Sequence, residues 1–80
     1  MADVKVYGAD WCPKTKRTLA HLKQIGIPFE YINIERDREA AKWVSEQNGG
    51  REKKPTLEIG GHVLSEPTNA EIDAVLAEKD

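Results

Sequence analysis

The chain has 80 residues, 12 basic against 14 acidic side chains, a net charge of −2 and 39% hydrophobic residues. A chain this short hides only ~60–65% of the surface it exposes when unfolded, so residues 1–80 are read as one soluble domain with a lean core. The longest apolar run falls far short of the ~20 residues that span a bilayer, the slight acidity speaks against a dedicated nucleic-acid binder, and the one cysteine excludes an internal disulfide and a closed, Cys-rich structural zinc site.

Met1 to Lys5 shows no charged-then-apolar leader pattern, so a cytoplasmic location is expected, where thiols are kept reduced. Val4-Lys5-Val6-Tyr7 alternates apolar and polar β-formers and predicts a strand, broken by Gly8-Ala9-Asp10. Trp11-Cys12-Pro13 opens a helix, with Pro13 suited to the first helical position, where its missing N–H leaves nothing unpaired. Leu19, Leu22 and Ile25 form its apolar stripe, Thr15, Lys16, Arg17 and Lys23 its polar surface, and Gly26 its stop. Pro28 to Ile34 reads as a second strand. A charged helix begins at Glu35, with acids near its positive end, and closes at Asn48-Gly49-Gly50.

Arg51 to Lys54 reads as a polar loop. Pro55 to Ile59 predicts a third strand, Gly60-Gly61 a hairpin turn, and His62-Val63-Leu64 a short return. Ser65-Glu66-Pro67 bends the chain, and Thr68 with Glu71 makes a capping box for a last helix carrying Ile72, Val75 and Leu76. The order is β-α-β-α-β-β-α. A helix joins the first two strands, which predicts parallel pairing, and the final hairpin makes a four-stranded sheet mixed.

Cys12 lies past the carboxyl end of the first strand, where open α/β sheets usually bind ligands. It also stands at a helix amino end, which carries roughly half a positive charge and unpaired N–H groups. Both favour thiolate over thiol. Lys14, Lys16 and Arg17 add positive charge, and the Thr15 hydroxyl is in position to donate to the sulfur. The competing reading is a buried structural cysteine, a common role for this residue; against it, Cys12 sits at a loop–helix junction and not on an apolar stripe. A cysteine protease fits less well. His21 is too far along the same helix to serve as base, and His62 lies in a separate hairpin.

Trp11-Cys12-Pro13-Lys14-Thr15 after a strand, Lys54-Pro55-Thr56 before another, and Gly60-Gly61 in the hairpin resemble the glutaredoxin family over nearly the whole chain. Leu64 to Ile72 is similar to its mycoredoxin branch. The resemblance implies a minimal thioredoxin-like α/β fold with four strands and three helices. It implies thiol–disulfide oxidoreductase activity, a catalytic role for Cys12, and thiolate activation by Pro13, Lys14, Thr15 and Arg17. It implies a cis proline at Pro55, leaving Lys54 free to pair with an extended thiol peptide, as in strand addition to a sheet edge. Trp11, Lys54, Pro55, Thr56, Ser65, Glu66, Pro67 and Thr68 become the thiol-binding residues, the last four as the region for the γ-glutamyl end of glutathione.

The chain departs from that pattern in ways that carry chemistry. Thr15 replaces the second cysteine of the dithiol form, so a one-cysteine route is expected, acting on mixed disulfides of proteins with glutathione or another low-molecular-weight thiol as co-substrate. The cluster-carrying branch has Cys-Gly-Phe-Ser where this chain has Cys-Pro-Lys-Thr, so no bound metal is expected. Ala9 stands where the family often has a lysine, and Ser65-Glu66 replaces its Gly-Gly. The expected partners are the small thiol and its mixed disulfides, with no nucleic acid, no membrane and a monomeric state. Two other readings stay open: a [2Fe–2S] carrier bridged by two chains through Cys12, and a redox-sensing or binding module without turnover.

Overall fold

The structure, a computed structural model, describes residues 3–78. The elements follow the predicted order: β1 (Val4–Gly8), α1 (Pro13–Gln24), β2 (Glu30–Asn33), α2 (Arg38–Gln47), β3 (Thr56–Ile59), β4 (His62–Ser65) and α3 (Asn69–Glu78). The sheet order is β2-β1-β3-β4. β1 pairs parallel with β2 and antiparallel with β3, and β3 pairs antiparallel with β4.

Strand alternation sorts the core onto two faces of the sheet. Val4, Val6, Leu57 and Ile59 turn to one face and are buried with Leu22 of α1 and Ile72 of α3. Tyr7 turns to the other and meets Ala40, Ala41 and Val44 of α2, with its ring 4.7 Å from that of Trp43. His21 Nε2 and Asp73 Oδ1, 2.8 Å apart, tie α1 to α3. The Gly60-Gly61 turn has positive φ at both residues (54° and 92°), the geometry a tight hairpin needs. The capping box forms in both directions: Thr68 Oγ1 accepts from the Glu71 N–H (3.1 Å) and Glu71 Oε1 accepts from the Thr68 N–H (2.8 Å).

Several boundaries and faces differ from the sequence reading: β1 runs on through Gly8 and β4 through Ser65. β2 pairs only over Glu30–Asn33, while Phe29 packs on the core from the approach to the strand. α2 starts at Arg38 and not at Glu35, because Asp37 caps it by accepting from the Ala40 N–H at 3.0 Å. The preceding turn is held by Asn33, whose side chain accepts from Glu35 N–H and whose carbonyl accepts from Arg36 and Asp37. β3 starts after Pro55, which has no N–H to give the ladder and follows a cis peptide bond. On α1 the inward face is Thr15, Thr18 and Leu22, with Leu19 partly buried; Ile25 is the C-cap and is exposed. Thr15 therefore belongs to the interior, not to the polar surface. Among the described residues no helix is long and apolar enough to cross a membrane.

Candidate active site

The sheet carries Cys12 to its position. β1 ends at Gly8, the chain turns through Ala9, Asp10 and Trp11, and the Cys12 N–H donates to Ala9 O at 3.1 Å. Cys12 is the N-cap of α1 with extended backbone, and Pro13 takes the first helical position. The β1–β3 register, Tyr7 opposite Thr56, brings the loop before β3 alongside. Cys12 Sγ then lies 3.8 Å from Lys54 O, within reach of a weak hydrogen bond from the thiol to that carbonyl.

Cys12 is 7% exposed, more deeply set than a loop–helix junction suggests, yet it lines an open groove. Burial alone pushes its pKa up. That effect is outweighed by the N–H and hydroxyl of Thr15, the N–H of Lys14 and the charge of Lys54, which together hold Cys12 below the ordinary thiol value. The ammonium that acts on the sulfur is therefore that of Lys54; Lys14 acts through its backbone.

Thr15 is fully buried one turn into α1, and in the thiol state its Oγ1 has no hydrogen-bond partner. When Cys12 ionises, the sulfur loses its donor and becomes an acceptor, and the Thr15 hydroxyl is then the available donor. Gly8 makes the room for this side chain. A Cβ there would lie 2.5 Å from Thr15 Oγ1 and 2.7 Å from its Cγ2, closer than packed atoms tolerate.

The groove above the sulfur has a volume near 540 Å³, within the usual range for a small-molecule site. Trp11, Cys12, Pro13 and Lys14 form one side; Arg51 to Lys54 and Glu66 form the other. Trp11 is 60% exposed, an unusual setting for so large a ring. It is held by its Nε1–H, which donates to Glu35 at 2.7 Å, while the Lys54 ammonium lies 5.6 Å from the ring centroid. Beside it the Tyr31 hydroxyl donates to Asp10 at 2.7 Å. Burial, with the Asp10 bond and charge, pushes the Tyr31 pKa well above the phenol range.

Of the residues expected at the site, Trp11, Cys12, Pro13, Lys14, Lys54 and Glu66 line the groove. Thr15 and Pro55 are buried behind it. Arg17 is exposed on α1 and is not among the lining residues. Thr56 acts from behind: it is fully buried, and its hydroxyl donates to Lys53 O at 2.8 Å, fixing the loop. Ser65 hydrogen-bonds Asn48, which in turn donates to Thr56 Oγ1 (3.2 Å). Pro67 and Thr68 lie outside the lining, and the Thr68 hydroxyl is engaged by its own helix.

Sequence reasoning missed Gly8, Asp10, Tyr31, Glu35 and the lining role of Arg51, Glu52 and Lys53. For Asp10 and Glu35 the available signal was the parallel pairing of β1 with β2, which puts the segments following both strands at one end of the sheet.

Comparison with known proteins agrees with this geometry. The glutaredoxin family model matches residues 4–64. Mycoredoxin 1 of Corynebacterium glutamicum is 33% identical over 75 residues, covering 92% of each chain. The crystal structure of a glutaredoxin from Archaeoglobus fulgidus superposes with a TM-score of 0.82 at 28% identity, covering 95% of this chain and 87% of that one. A thioredoxin-like protein at 21% identity superposes over 96% of this chain with a TM-score of 0.85, a likeness of fold. With its mixed sheet, its cysteine at the tip of α1 and a proline loop against the sulfur, the chain has a thioredoxin-like fold and belongs to the glutaredoxin family of thiol–disulfide oxidoreductases.

Proposed function

We propose that this protein is a one-cysteine thiol–disulfide oxidoreductase that removes a small thiol, glutathione or a similar molecule, from protein mixed disulfides. Residues 1–80 act as one glutaredoxin-like domain, as a monomer in the cytoplasm. The observation that carries the reading is the Cys12 sulfur: lowered in pKa, set at the floor of an open groove, and 3.8 Å from the carbonyl of the proline loop.

In the first step the Cys12 thiolate attacks the sulfur of the small thiol. The mixed disulfide breaks, a Cys12–small-thiol disulfide forms, and the target leaves as thiolate and takes up a proton. In the second step the thiolate of another small-thiol molecule attacks the bound one. It forms the small-molecule disulfide and returns Cys12 as thiolate. The target's cysteine sulfur is reduced, the incoming small thiol is oxidised, and the small-thiol sulfur taken from the mixed disulfide stays at the disulfide level, so electrons balance. Thr15 has no sulfur with which to divert the intermediate into an intramolecular disulfide.

The groups around the sulfur serve these steps. The N–H groups of Lys14 and Thr15, the Thr15 hydroxyl and Lys54 stabilise the thiolate both as nucleophile and as leaving group. Trp11 supplies an apolar wall, held in orientation by Glu35. The test is turnover of a peptide disulfide-bonded to a small thiol, by wild type against Cys12→Ser. The reading requires loss of turnover in the variant; equal rates contradict it.

A further inference from the structure

One side chain outside the groove has every polar atom committed to the structure behind it. Asn48 is the C-cap of α2, and the chain runs on from it through Gly49 and Gly50 into the groove wall at Arg51. Its Nδ2 donates to Val44 O at 2.7 Å and to Thr56 Oγ1 at 3.2 Å, and its Oδ1 accepts from the Ser65 hydroxyl. A carboxamide has two N–H donors and one carbonyl oxygen, so all three are used. The Val44 carbonyl can only accept, which fixes which end of the carboxamide faces the helix. Thr56 and Ser65 stand opposite each other across the β3–β4 pair, and Asn48 joins their hydroxyls to the end of α2.

The chain of bonds leads to the sulfur. Because Thr56 Oγ1 accepts from Asn48, its own proton is left for Lys53 O, to which it donates at 2.8 Å. On the other side, Pro55 O accepts from the Glu66 N–H at 2.7 Å. The carbonyls flanking Lys54 are thus both held, and the Lys54 carbonyl between them lies 3.8 Å from Cys12 Sγ. The Lys54 ammonium is one of the groups that favour the Cys12 thiolate. A satisfied buried network rigidifies the groups it holds. Without Asn48 the Thr56 hydroxyl is free to turn away from Lys53 O, and the segment carrying Lys54 loses one of its two anchors. The attraction between Lys54 and the thiolate weakens as the two separate.

We infer that Asn48 is a positioning residue for the reaction at Cys12: its carboxamide, acting through the Thr56 hydroxyl, holds the Lys53–Lys54 segment against the sulfur. The inference rests on the reading of Cys12 as the nucleophile of a one-cysteine reaction. Asn48 touches neither the sulfur nor the groove lining, so its effect on the reaction passes through Thr56 and the loop.

The test compares wild type, Asn48→Ala, Thr56→Val, the double variant and Asp37→Ala. Thr56→Val keeps the buried shape and removes the hydroxyl, so it asks the same question at the next link. Asp37→Ala removes the cap at the other end of α2 and lowers the melting temperature without touching the loop. The first readout is ultraviolet thiolate absorbance against pH, which needs no substrate. The second is the rate of peptide release, in a single turnover, from a peptide disulfide-bonded to N-acetylcysteamine, a small neutral thiol. Asn48→Ala and Thr56→Val each lower the thiolate population by about threefold at a pH where thiol predominates, and slow peptide release. The double variant titrates as Thr56→Val does alone, since the two residues act in series. Asp37→Ala titrates as wild type. An unshifted titration in Asn48→Ala and Thr56→Val, an equal shift in Asp37→Ala, or shifts that add in the double variant overturns the role of Asn48 while leaving the one-cysteine reading intact. No peptide release by wild type overturns the one-cysteine reading and this inference with it.

Discussion

Replacing Thr15 with valine separates what this side chain does for the sulfur from what it does for the fold. Valine keeps the branched shape that fills the space against Gly8 and removes the hydroxyl. In the thiol state that hydroxyl is fully buried without a partner. An unsatisfied buried polar group costs about 1–3 kcal/mol, so Thr15→Val leaves the protein at pH 5–6 as stable as wild type or up to about 1 kcal/mol more stable, some 4–8 °C in melting temperature. The thiolate loses a charge-assisted donor worth about 1.5 kcal/mol, at the lower end of such bonds because the backbone N–H groups remain. That is about a tenfold fall in thiolate population at a pH where thiol predominates. The assay pairs ultraviolet thiolate absorbance against pH with thermal melts of the same samples. A lower melting temperature with an unchanged absorbance titration would refute the reasoning and make Thr15 a packing residue only.

Gly8→Ala forces a methyl into the Thr15 side chain at 2.5 Å and should destabilise the protein by about 1–3 kcal/mol through overpacking. The cost should be much smaller in a Thr15→Ala background, since neighbours in contact are not additive; equal costs in the two backgrounds contradict the contact. Lys54→Met should raise the Cys12 pKa, by less than Thr15→Val does, and 1 M salt should mimic it in wild type; an insensitive titration removes Lys54 from the account. Because the folded pKa of Cys12 is depressed, its ionisation stabilises the fold fully above the unfolded value of about 8.5, and the gain disappears as pH falls through the folded pKa. Denaturant melts of wild type should therefore gain stability relative to Cys12→Ser between pH 6 and pH 9, and a pH-independent difference would contradict the depressed pKa.

The element order was legible because the apolar period changes cleanly along the chain, from alternation in Val4–Tyr7 to the helical spacing that buries Leu22. Cys12 was legible for a local reason: a strand end, then cysteine, then a proline suited to open a helix. The acids around Glu35 misled, because negative charge before a helix reads as its first turn. Here the carbonyl and carboxamide of Asn33 take the local N–H groups, and the helix, capped by Asp37, begins at Arg38, three residues after Glu35. Arg51–Lys54 carried charge without periodicity, which is also how a solvated loop looks; only the pairing of Tyr7 with Thr56 places it beside the sulfur. Gly8 and Glu35 act through contacts with Thr15 and Trp11 that no local pattern encodes.

The central claim is that Cys12 attacks the small-thiol sulfur and briefly carries that thiol. Intact-mass measurement after mixing reduced protein with a substoichiometric peptide–N-acetylcysteamine disulfide, quenched in acid, tests it most directly. The account predicts protein bearing one N-acetylcysteamine on Cys12, with the peptide released as free thiol. No protein mass bearing the small thiol, or protein carrying the peptide in its place, would contradict it.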